Sequence, residues 1–279
     1  MSPALPVALS AALLFASGNL FQKAGLDRSA ESSPRGILAW ARALLKNPKW
    51  TAGILCSCAG AALQYVAMAN WSLSVVQPLI GLNPVVTALL CRKFLGERAG
   101  ALLWPALLCA LGGVAAMGFA EAGDSGAPNA ALWPFAGVAA AAMALLASAS
   151  KRGAKIGAEA GLALASGVGF GLSAILFKAA WTAFASAPEG LSGLAALCSS
   201  PAPWAYAAVY AAAFFASQAA LLAGRGMFVV PLSAAVGNLL PVLGGVLVFG
   251  ESFGREKAVA VALLTASLLL FAPRGKNRV

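Results

Sequence analysis

Long apolar runs separated by short polar and basic segments make up almost the whole of this chain. Crossing a bilayer core of roughly 30 Å takes about 20 apolar residues in a helix, because backbone amides in lipid must be satisfied within the segment. That criterion predicts nine spans, at Ala4–Leu26, Ala52–Asn70, Leu73–Leu95, Ala101–Ala120, Ala131–Ser150, Glu159–Phe184, Pro203–Ala223, Met227–Phe249 and Ala258–Ala272. The segment Gly36–Trp50 carries Arg42, Lys46 and Lys49 and is apolar for only about ten residues, which predicts an amphipathic helix lying in the interface. Read instead as a tenth span, it would move the N-terminus to the other side.

Composition agrees with that reading. Hydrophobic residues are 61% and charged residues 10%, against about 45–50% and 25% in soluble domains. A soluble chain of this size needs more charge to cover its surface, so the class is all-α integral membrane, a polytopic helical bundle in a lipid bilayer. Net charge is +10, yet the basic residues cluster between apolar runs rather than forming an aromatic-interleaved face, so no nucleic-acid partner is predicted. Threading nine spans puts sixteen of the 19 Lys and Arg on one side and leaves only Lys178, Arg255 and Lys257 on the other. By the positive-inside rule the rich side is cytoplasmic, with the N-terminus outside and the C-terminus inside the cell inner (plasma) membrane. Residues 1–22 carry no charged side chain, so the basic start of a cleaved signal is missing and the first helix is read as retained. The five cysteines match no zinc spacing and there is no His, so no metal, cofactor or disulfide is assigned.

An internal repeat runs through the chain at a spacing of 154–155 residues. Asn19-Leu20-Phe21-Gln22-Lys23-Ala24 lies against Ala174-Ile175-Leu176-Phe177-Lys178-Ala179, Trp50 against Trp204, Gln64 against Gln218, Asn83 against Asn238, and Gly96-Glu97 against Gly250-Glu251. Residues 1–122 form the first copy, residues 123–155 carry one linking span, and residues 156–279 form the second copy. The odd linker inverts the second copy, an architecture recurrent in secondary transporters.

The paired stretches Ser72–Gly100 and Gly226–Gly254, each with internal Pro and ending in Gly-Glu, resemble the drug/metabolite transporter superfamily, EamA-like. The layout of four, one and four spans and the VVQPL stretch resemble its subgroup of NIPA-type transporters. The resemblance implies an inverted helical bundle that moves small molecules, with amino acids, sugar conjugates, drugs or ions as substrates of similar proteins.

Polar groups within a span are costly and tend to face the bundle interior. Lys178, Gln64, Gln218, Asn83, Asn238 and Lys23 are the candidate substrate-binding residues, with Gln22 and Gln77 behind them; hydrogen-bonded ties between helices are the other role open to the amides. Asp27 stands four residues from Lys23 and offers an ion pair. All nine acids map to loops or helix ends, so Lys178 is expected to lack an acid at its depth and to attract an anionic substrate. Pro78, Pro84, Pro231 and Pro241 are candidate hinges, since each frees a carbonyl in a helix. The Gly-Glu pairs read as helix stops. There is no His, no G-x-S-x-G and no carboxylate dyad at membrane depth, so an enzyme is not predicted. The expected function is a secondary transporter of a small polar or anionic organic metabolite, working by alternating access, with room for a homodimer. A magnesium or other cation transporter and a non-transporting scaffold or helper subunit are the alternatives.

Overall fold

The computed structural model describes residues 4–29, 42–70, 79–98, 100–119, 127–151, 157–185, 195 and 198–271. Among them there are helices and no strand. The long ones are α1 (Ala4–Ser29), α2 (Pro48–Asn70), α3 (Asn83–Phe94), α4 (Leu103–Phe119), α5 (Leu132–Lys151), α6 (Ala158–Ala185), α7 (Pro201–Ala223), α8 (Gly226–Phe249) and α9 (Arg255–Phe271). Four of these, α5 to α8, are long and apolar enough to cross a membrane, and α4 is a shorter apolar helix.

α6 stands at the centre, with 72% of its apolar window buried, packed by α5, α7 and α8. α5 lies at the periphery with 11% buried. α1 pairs with α2 and touches α3, while α3 meets α8 and α4 meets α9. Glycine allows two of these approaches: a Cβ at Gly53 would stand 2.7 Å from the Gly18 carbonyl oxygen, and one at Gly113 would stand 2.8 Å from Leu264 Cγ. Small residues let helix backbones close in where lipid supplies no hydrophobic drive.

The helix ends follow local chemistry. Asn47 caps α2: its Oδ1 accepts from Lys49 N at 3.1 Å and Trp50 N at 3.3 Å, and Pro48 fills a first-turn position where the missing N–H costs nothing. Trp50 thus belongs to α2 and not to an interfacial helix. Of the segment 36–50, residues 36–41 lie outside the described residues, and 42–45 are helical with a break before Pro48.

The expected span Leu73–Leu95 is also corrected. Residues 71–78, with Gln77 and Pro78, lie outside the described residues, and Gly81-Leu82 form a turn before α3 begins. Pro84 therefore occupies the first turn of α3 instead of kinking its interior. α8, its counterpart in the sequence repeat, runs unbroken through Pro231 and Pro241.

Candidate functional site

The two Gly-Glu stops adopt one geometry. Gly96 and Gly250 sit at φ +66° and +67°, a left-handed conformation that glycine adopts freely. The next amide turns back in each case, Glu97 N donating to Cys91 O at 3.4 Å and Glu251 N to Gly245 O at 3.0 Å, so both left-handed glycine caps close on a carbonyl six positions earlier. The carboxylates then act at a distance from their own helices. Glu97 accepts from Gly226 N and Met227 N, both at 2.8 Å, so it caps α8 rather than the helix that follows it. An anion at that N-terminus satisfies two unpaired amides and opposes the helix dipole.

Glu251 corrects the expectation for Lys178. It lies just past the left-handed turn, accepts from Lys178, and takes a second bond from Lys257 at 2.8 Å. The Lys178 ammonium also stands 4.3 Å from the centre of the Phe249 ring. Burial alone would push the Glu251 carboxyl up, but the hydrogen bonds and charges of Lys178 and Lys257 outweigh it and hold the group below its ordinary value. Lys178 has its acid, and the vacancy that called for an anionic substrate is filled.

A cavity of about 730 Å³ opens between the first three helices and α6 to α8. Asn83, Gln218 and Asn238 line it, while Lys178, Lys23 and Gln64 are not among its lining residues. Lys23 instead pairs with Asp27 at 2.6 Å and donates to the Leu221 carbonyl at 2.8 Å. At the cavity wall, Trp50 Nε1 donates to Gln218 Oε1 and Gln218 Nε2 donates to Gln22 Oε1, each at 2.8 Å. Gln22 Nε2 passes the chain to Ser57 Oγ at 3.0 Å. Asn19 Nδ2 reaches Asn83 Oδ1 at 3.4 Å and Thr87 Oγ1 at 3.3 Å. Buried amides satisfied in this way tie α1, α2, α3 and α7 together.

These bonds gather at one end of the bundle, the end that carries Lys23. There Arg225 Nη1 also donates to Arg98 O at 3.3 Å, and Glu97 holds the start of α8. At the opposite end, the Lys178–Glu251–Lys257 cluster and the bonds from Asn129 to Leu247 O and Val248 O all stay within residues 127–271. The cross-half hydrogen bonds from Gln218 to Gln22, Trp50 to Gln218, Lys23 to Leu221 O and Arg225 to Arg98 O, with those that Glu97 accepts, lie toward the Lys23 end.

Sequence reasoning passed over Asn19, Trp50, Ser57, Ser217, Ser233, Phe170, Tyr210 and Phe214, all of which line the cavity. Trp50 had a signal, since it aligns with Trp204 in the repeat, but its place beside three basic residues disguised it. No carboxylate and no basic side chain is among the lining residues. No family model, curated protein or solved structure matches the chain.

Proposed function

We propose that this chain is a secondary transporter, two inverted halves alternating about the cavity and carrying a small polar organic molecule across the inner or plasma membrane. The observation that carries the proposal is the cavity itself. It lies between helices of both sequence repeats, its wall bears hydrogen-bonding side chains from each, and cross-half bonds lie toward one end of it. Alternating access needs a site shared by both halves, and in this proposal the Lys23 end is the closed gate. Nine crossings are part of the proposal, with the N-terminus outside, the Lys23 end cytoplasmic, and the cavity reached from outside. The matched left-handed glycine caps at Gly96 and Gly250 support the inverted duplication. The cation-transport alternative loses ground because hard cations favour clustered oxygens that include carboxylates, and no carboxylate is among the residues of the cavity wall.

Vesicle uptake tests it. Full-length protein reconstituted in proteoliposomes should accumulate at least one member of a mixed polar-metabolite pool above empty vesicles, read by mass spectrometry. Arg98→Cys with Arg225→Cys, bridged through two mixed disulfides by a short bis-methanethiosulfonate on a background free of other cysteines, should pin the Lys23 end shut. Accumulation should stop and return on reduction. Uptake that never exceeds empty vesicles would favour the scaffold or helper reading, and uptake indifferent to the bridge would refute gating at this end.

A further inference from the structure

We propose that the cavity takes an uncharged planar ring compound bearing a carboxamide-like edge, and that Asn238 reads that edge. The proposal rests on the transport reading for its purpose, but its geometry and its test concern binding alone.

The wall combines aromatic rings with amide and hydroxyl groups. Phe170 from α6 and Tyr210 and Phe214 from α7 make an aromatic face, with Phe170 and Tyr210 edge to face at 5.6 Å. Trp50 extends it, edge-on to Phe214 at 6.4 Å. Rings set this way present faces on which a flat ligand stacks. To the same wall α1, α3 and α8 contribute amides and the Ser233 hydroxyl.

Most of those polar groups are already engaged. Gln22, Gln218 and Trp50 bond one another, Asn83 sits with Asn19 and Thr87, and Ser233 shares a 2.8 Å bond with Ser166. Asn238 differs: it is exposed to the cavity and forms no hydrogen bond with a described residue. Its amide offers one acceptor and one donor in a plane, the complement of a second carboxamide or a heteroaromatic edge. The aromatic face stands at its level, because a Cβ at Gly171, beside Phe170, would lie 2.8 Å from Leu240 Cβ and 3.3 Å from Gly237 O.

Charge argues for a neutral ligand. An ion taken out of water costs more than neutral hydrogen bonds return unless an opposite charge meets it, and the lining residues supply none. Lys23, one residue from the cavity-lining Gln22, is committed to Asp27 and Leu221 O.

Cys58, exposed on the cavity wall, reports occupancy. In full-length protein with the other cysteines changed to Ser, its rate of modification by N-ethylmaleimide is measured against matched ligands at millimolar concentration. The sets are indole-3-acetamide, indole-3-acetate and tryptamine, and benzamide, benzoate and benzylamine. An amide should slow labelling while its carboxylate and ammonium analogues do not, and Asn238→Leu should weaken that protection about fivefold, the scale of one hydrogen bond. Asn238→Asp should transfer the preference to tryptamine or benzylamine, which keeps the proposal testable if the Leu variant misfolds. Protection by a charged member equal to that by its amide, no protection by any member, or amide protection unchanged in both variants overturns it. Amide binding without any vesicle uptake would sink the transport reading and leave the ligand class standing; uptake confined to charged compounds would do the reverse.

Discussion

Gln218 and Gln22 lie 196 positions apart in the chain, yet Gln218 Nε2 donates to Gln22 Oε1 at 2.8 Å inside the bundle. Trp50 completes the link from a third helix. The arrangement joins the two sequence repeats at the cavity wall, and loss of Gln218 strands two buried partners at once. Gln218→Leu leaves the Trp50 Nε1–H and the Gln22 carbonyl without their bonds. The expected cost is about 1–3 kcal/mol, read as a lowered melting temperature in detergent, whereas Gln64→Leu, at a residue that does not line the cavity, should change it little.

Glu97 is the second cross-half tie. Glu97→Gln keeps the shape but replaces the anion that caps α8 through Gly226 and Met227. A loss of about 1 kcal/mol is expected, the usual worth of a helix cap with its dipole term. If the Lys23 end is the closed gate, the same change should also quicken Cys58 labelling by a charged thiol reagent added from that side. Unchanged labelling from that side would mean that Glu97 only caps.

Much of this architecture was legible in the sequence. Predicted and observed helix ends agree within a few residues from α4 to α9, because lipid exposure makes hydropathy a direct record of span length. The turn at Gly81-Leu82 escaped notice because both residues are apolar or neutral and leave the hydropathy trace unbroken. The partner of Lys178 escaped for a different reason. Glu251 reads as a loop residue, and only the left-handed turn at Gly250 brings it back beside a lysine 73 positions away. Of the site, Asn83, Gln218 and Asn238 were visible as paired amides within apolar runs, but hydropathy carries no record of which amides already hold one another.

Sidedness has its own check. Cys198 is exposed and precedes α7 at the Lys178 end. With the N-terminus outside, it should react in intact cells with an impermeant thiol reagent, while a cysteine at Gly100, at the Lys23 end, should not. Labelling at Gly100 with protection of Cys198 would turn the topology over.

The Lys178–Glu251–Lys257 cluster yields an order of effects that separates pairing from snorkelling. Glu251 holds both lysines, and the two differ in what they can do without it. The Lys178 side chain is 36% exposed and able to swing its ammonium toward water, whereas that of Lys257 is 7% exposed. Glu251→Gln therefore leaves a nearly buried ammonium without its anion, a situation that costs about 3–5 kcal/mol in fully buried pairs; partial exposure should reduce it here. Lys178→Met removes one cation but leaves Glu251 with Lys257, so its melting temperature should fall less than that of Glu251→Gln. The carboxyl is held below its ordinary value of 4.5 in the folded protein. A depressed carboxylate contributes stability that is complete above the unfolded value and fades as pH drops through the folded one. Wild type should thus lose stability below about pH 4.5, and Glu251→Gln, with no carboxyl at that position to protonate, should lose less over the same interval. Parallel acid profiles for the two proteins, or a larger drop for Lys178→Met than for Glu251→Gln, would remove Glu251 as the anchor of the cluster.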